Sequence, residues 1–262
     1  MPTLFLDHPT NHNAPLVTTM RISLHDGHYY CELTDWRLDQ PLLDAVRECV
    51  RVQRECARER YQTGFVPDAS GKEVVSEGYL RKILATGQDI HGISTQREIS
   101  NVIVFNSHRF QDSVNGEEIA VGRKRVDELI AQRIERDFLA GKGLSVSNSG
   151  HFWYPPGGYM SWHTNSGCPG WRLYVTYAEQ PGKSFFRYRD VASGSIVTSY
   201  DDTWDFRMFE ICRERPLWHA VYSDTHRFSL GFVIRPRSLR ESAARKLHSV
   251  KRLLAGFRKK EV

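Results

Sequence analysis

The sequence predicts a mostly β protein with flanking helices and a jelly-roll core, the double-stranded β-helix of cupin-like folds. Three observations predict it. From Gly143 to Pro236 the chain is a succession of short aromatic and β-branched runs, divided by turns such as "YPPGG", "NSGCPG", "EQPGKS" and "DVASG". Ahead of that stretch, two segments repeat their apolar residues at helical spacing. The aromatic load of 6 Trp, 11 Tyr and 13 Phe suits pleated surfaces.

The elements follow in order. "VTTMRISL" and "HYYCELTD" read as the arms of a hairpin around Asp26 and Gly27. Residues 39–64 read as a helix with Asp39 as cap, Pro41 in the first turn and Gly64 as its end. Leu42, Val46, Cys49 and Cys56 fall along one face of it. Residues 65–100 show no clear pattern, and "NVIVF" (101–105) reads as a buried strand. Residues 122–140 form a second helix, with Val126, Leu129, Ile130, Ile134 and Phe138 on its stripe and Gly141 as its stop. Strands are expected near 144–153, 158–165, 171–178, 184–190, 195–200, 206–212, 217–222 and 227–234. The two helices belong against the outer face of the roll.

The whole chain of 262 residues reads as one domain. Residues 1–143 supply the hairpin and buttressing helices, 144–236 the core, and 237–262 a basic amphipathic helix. Leu239, Ala243, Leu247, Val250, Leu254 and Phe257 make that helix's apolar face. It is read as packing on the body, with a homodimer contact as the alternative. The net charge of +5 belongs to this tail, where 8 Lys and Arg face 2 Glu in residues 238–262. The rest is near neutral, which argues against a nucleic-acid partner. No segment approaches the ~20 apolar residues of a membrane span. The N-terminal stretch lacks a secretory pattern. The five cysteines are scattered without a CxxC, so a cytoplasmic protein with reduced thiols is expected.

Chemistry concentrates in the β-rich stretch. "GYMSWHTNSG" (158–167) carries His163 and Asn165, two residues apart; in a strand they would share a face. "LWHAVYS" puts His219 on a face with Leu217 and Val221, against Trp218, Ala220 and Tyr222. "HRFSLGFVI" puts Arg227 and Ser229 opposite Phe228, Leu230 and Phe232, and "RLYVTY" groups Arg172, Tyr174 and Thr176. Two imidazoles from nearby strands can hold Fe(II). An inward Arg with a hydroxyl two residues on can clamp a carboxylate, and a buried Arg needs such a partner.

In this order, "HTN", His219 and "RFS" resemble the Fe(II)/2-oxoglutarate-dependent oxygenase superfamily, over roughly a third of the chain. The resemblance implies an enzyme that uses Fe(II), O2 and 2-oxoglutarate as cosubstrate. It makes His163 and His219 iron ligands, and Arg227 and Ser229 the seat of the far carboxylate of 2-oxoglutarate, with Tyr174 in the same pocket. No catalytic residue beyond the metal centre is implied. Arg172, Trp153 and Trp162 are candidates to bind a small polar substrate, an amino acid or natural-product intermediate.

Asn165 departs from the pattern, because an acidic ligand belongs there. Three readings follow. Asn165 ligates iron through its amide oxygen or through water, and the enzyme hydroxylates an unactivated C–H bond. Or the position is open, as in the superfamily's aliphatic halogenases, and a halide fills it. Or the protein is a non-catalytic binding module on the same fold.

Overall fold

The computed structural model describes residues 29–237, apart from 67, 69, 89, 91–98, 106–115 and 142. The first arm of the expected hairpin and the C-terminal helix lie outside the described residues.

The order of elements is β1 (Tyr30–Glu32), α1 (Gln40–Cys56), α2 (Arg58–Gly64), α3 (Gly71–Val74), α4 (Glu77–Ala85), β2 (Ile99–Ser100), β3 (Ile103–Val104) and α5 (Gly116–Phe138). Eight strands follow: β4 (Leu144–Tyr154), β5 (Gly158–His163), β6 (Gly170–Ala178), β7 (Ser184–Arg189), β8 (Ile196–Tyr200), β9 (Trp204–Ile211), β10 (His219–Ser223) and β11 (Arg227–Pro236). They divide between two antiparallel sheets, alternating except at β7 and β8, which are paired neighbours in the same sheet. One runs β1-β9-β6-β11-β4-β3 and the other β2-β5-β10-β7-β8. This is a jelly roll, with the last eight strands wound into facing sheets.

The period-2 pattern of the strands sorts side chains into three layers. Outward residues of the six-stranded sheet, such as Leu173, Val175, Phe206, Met208 and Phe228, pack with Leu42 and Val46 of α1 and Ile130 and Ile134 of α5. Outward residues of the five-stranded sheet, Trp162, Trp218 and Tyr222 among them, pack on α3 and α4 through Val74, Val75 and Leu80. Between the sheets lie Tyr154, Met160, Phe186, Phe209, Leu217 and Val221.

Several local expectations are corrected. The helix of 39–64 is broken at Ala57, which caps the end of α1 and opens α2. Asp39 does cap α1, accepting from the Leu42 N–H at 3.2 Å. In α5 the stripe holds except at Leu129, which is exposed. "NVIVF" does hold a buried strand, β3, though a short one; β2 just before it belongs to the other sheet, and the chain crosses over at Asn101. The described arm of the hairpin, β1, pairs with β9. The helices cover outer faces of the sheets; α1 and α5 are therefore buttresses.

Two β-bulges break the alternation. In β5, His163 and Met160 stand opposite His219 and Val221, so three residue steps face two. In β4, Gly150 and Asn148 stand opposite Gly231 and Phe232. A bulge re-aims the side chains that follow it.

Candidate metal centre and anion clamp

The β5 bulge creates the histidine pair. Met160 faces the interior, and strict alternation would put His163 on the opposite face, three residues later. The extra residue turns His163 inward and Trp162 outward. His163 then stands opposite His219, with ring centroids 4.0 Å apart. Both histidines are buried.

Each ring is fixed in the same way. Nδ1 of His163 lies 2.8 Å from the Ser161 carbonyl, and Nδ1 of His219 lies 2.9 Å from the Leu217 carbonyl. A carbonyl only accepts, so each Nδ1 carries the hydrogen and each Nε2 carries the lone pair. A backbone carbonyl on the far nitrogen is how metal-binding imidazoles are oriented. The His219 ring lies 5.4 Å from Phe186 and 5.5 Å from Phe209, which makes the surroundings apolar.

Asn165 is not in the strand, as the shared-face argument required. It follows the end of β5 in a left-handed conformation, φ 56°, and its carbonyl accepts from the Cys168 N–H at 2.9 Å. Asn tolerates that backbone well. Its amide still reaches the pair, with Nδ2 3.3 Å from His219 Nε2. Asp190 and Asp224, acids close in sequence to β7 and β11, are engaged elsewhere. Asp190 accepts from Tyr29 and Ser193, and Asp224 from Tyr222 with Lys72 beside it. Among the described residues no group of three or more His, Cys, Asp and Glu could hold a metal.

The clamp side is built on β11, β6 and β9. Register places Ser229 beside Thr176, and Thr176 beside Asp205. Arg227 is 1% exposed. Its Nε donates to Asp201 Oδ2 at 2.7 Å, and Nη2 makes a long 3.4 Å bond to Thr176 Oγ1. Nη1 is buried with no partner. Asp201 also accepts from Arg207 Nη1 at 2.6 Å and Ser184 Oγ at 2.5 Å. Burial pushes the Asp201 carboxyl up, but Arg227 and Arg207 outweigh it and hold it below the usual range.

Tyr174 lines the same wall, edge-on to Phe209 at 5.0 Å. A Cβ on Gly231 beside it would stand 2.4 Å from Ser149 Oγ and 3.0 Å from the Tyr174 ring, so those side chains would have to shift to admit one. Arg172 is buried at the start of β6, bonded to the Cys168 and Trp171 carbonyls. Burial lowers its pKa. Its strand partner on β9 is Phe209, which lies against His219.

Trp153 and Trp162 are corrected. Both face away from the histidines. Trp153 stacks on Phe228 under α1 and α2, and Trp162 donates to the Ser76 carbonyl at 2.8 Å under α4. His151 is likewise on the outer face, held between Gln53 and Asp127. Asp201 and Arg207 were missed. Asp201 sits in the turn "YDDTWD", where an acid carries no signal. Arg207 was readable: Phe206 and Met208 must face the helices, which turns Arg207 inward.

No family model matches the chain, and no curated protein matches it. Solved structures give distant likenesses. A prolyl-4-hydroxylase from Pseudomonas putida is 14% identical, with 66% of this chain and 89% of that one covered at a TM-score of 0.30. A prolyl hydroxylase from Trichoplax adhaerens, in complex with a hypoxia inducible factor oxygen degradation domain peptide fragment, is 12% identical, with 76% and 94% covered at 0.33. A 2OG-Fe(II) oxygenase family oxidoreductase from Burkholderia pseudomallei is 10% identical, with 63% and 82% covered at 0.33.

Proposed function

We propose that this protein is an Fe(II)- and 2-oxoglutarate-dependent oxygenase that hydroxylates an unactivated C–H bond of a small polar metabolite. The observation that carries the reading is the matched imidazole pair, both Nδ1–H groups tied to carbonyls two residues upstream. The donor set fits iron: two neutral nitrogen donors, with an amide at the third position. The buried, unpartnered Arg227 Nη1 fits a carboxylate.

His163 and His219 would hold the metal through Nε2, and Asn165 would offer its amide oxygen or leave the position open. With 2-oxoglutarate and O2 bound, the iron supplies oxidation of the substrate C–H bond, with succinate and CO2 as coproducts. The chain's own share is orientation. Arg227 takes the far carboxylate between Thr176 and Ser229, while Phe186 and Phe209 keep the histidines in an apolar setting. Arg172 is the cation beside Phe209, placed to receive an anionic group of the substrate.

The test is an anaerobic titration of Fe(II) and 2-oxoglutarate, read by the visible charge-transfer band. The band is expected in the natural protein and absent from His219→Ala. No band in correctly folded natural protein would favour the binding-module reading.

One observation favours a second reading, oxidative halogenation: no carboxylate or thiolate joins the histidine pair among the described residues. It requires the charge-transfer band to shift on addition of chloride and a chlorinated product to form. A band indifferent to chloride leaves hydroxylation standing.

A further inference from the structure

The clamp contains more charge than one arginine. Asp201 bridges Arg227 and Arg207, with its two oxygens 2.7 Å and 2.6 Å from them. All three side chains are at most 1% exposed. Arg207 is engaged at all three nitrogens. Nη1 goes to Asp201, Nη2 to Ser199 at 2.7 Å with Asp205 at 3.7 Å beyond, and Nε to Ser199 at 3.1 Å. Arg227 is different. Asp201 takes its Nε, and the two-nitrogen edge keeps only the long bond to Thr176.

A buried Asp alone with Arg227 would form a neutral pair, and an arriving carboxylate would meet Asp201's charge at short range. Arg207 changes that. Two guanidiniums and one carboxylate leave one unit of positive charge, concentrated where a donor lacks a partner. Asp205, opposite Thr176 in the sheet and 3.7 Å from Arg207 Nη2, offsets part of that charge, but it bonds neither guanidinium as closely as Asp201 does.

We infer that Arg207 is a positioning residue for cosubstrate binding: it neutralises Asp201, so that Asp201 can aim the Arg227 fork without cancelling its charge. Arg207 therefore governs affinity for a dicarboxylate it does not touch. The inference rests on the reading of Arg227 as the 2-oxoglutarate clamp.

The experiment titrates 2-oxoglutarate into the full-length, Mn(II)-loaded protein by calorimetry, with far-UV circular dichroism as the check on folding. Arg207→Met is expected to weaken binding on the order of tenfold or more, because Asp201 then cancels Arg227. The double variant Asp201→Asn, Arg207→Met restores one positive charge and should bind within about threefold of the natural protein. A purely structural Arg207 would leave the double variant as weak as the single. Should Arg207→Met fail to fold, Asp201→Asn decides alone: binding as tight as natural or tighter supports the inference, and weaker binding overturns it. Arg227→Gln separates the two claims. If it binds like the natural protein, or the natural protein does not bind at all, the clamp reading falls and takes this inference with it. If Arg227→Gln loses binding but Arg207→Met does not, or the double variant stays weak, only the inference falls.

Discussion

At the scale of single residues, the site depends on which nitrogen of each imidazole holds the proton. The carbonyls of Ser161 and Leu217 decide this. His163→Ala should abolish the charge-transfer band as His219→Ala does, because one imidazole cannot replace a pair. Asn165→Asp should tighten Fe(II) binding several-fold, since it adds a negative charge beside a dication; a metal titration under anaerobic conditions reads it directly. It should also remove any response to chloride. Gly231→Ala is expected to destabilise the fold by about 1 kcal/mol, because its Cβ meets Ser149 Oγ and the Tyr174 ring and both must shift to admit it. Denaturant unfolding measures that loss.

Secondary-structure elements contribute in two ways. The helices α1 and α5 insulate the outer face of the six-stranded sheet. Ile130, fully buried in α5, should cost about 2–5 kcal/mol when cut to Ala, and leave 2-oxoglutarate binding unchanged because it lies on the far side of the sheet. The bulge in β5 acts on the site itself. It is the reason His163 and Met160 face the same interior. Deleting Ser161 removes the extra residue and leaves His163 two steps after Met160, so plain alternation keeps it inward and opposite His219. The expected outcome is a charge-transfer band retained together with the β-sheet circular dichroism. A band lost from a folded deletion variant would show that the alternation does not set the direction of His163.

For the molecule as a whole, pH dependence follows from histidines that the fold keeps neutral. His151 is buried between Gln53 and Asp127, and burial, the largest cause, lowers its pKa despite Asp127. The folded state therefore refuses a proton that the unfolded chain accepts at its ordinary value of ~6.5. Stability contributed by His151 is complete above that value and falls as pH drops toward the lowered one. His226 adds to this with the same sign, burial again being the largest cause. The drop in the urea midpoint from pH 7.5 to pH 5.5 should be smaller in His151→Gln than in the natural protein. Among the described residues no helix is long and apolar enough to cross a membrane.

The sequence by itself determined the strand-rich core, because period-2 patterning sorts each strand without knowledge of its neighbours. It determined which faces of β6, β10 and β11 carry Arg172, His219 and Arg227, for the same reason. It placed α1 and α5, because caps and apolar stripes are local, while the short α3 and α4 lie in the stretch 65–100 where no pattern was legible. Only the tertiary structure decided the rest. The β5 bulge exists only in register with β10, so nothing in "GYMSWHTNSG" says that His163 and not Trp162 faces inward. The outward placement of Trp153 and Trp162 depends on which helices cover the two sheets. The partnership of Asp201 with Arg207 and Arg227 joins residues 6 and 26 positions apart. Burial then turns that partnership from a surface ion pair of small consequence into the feature that sets the charge of the clamp.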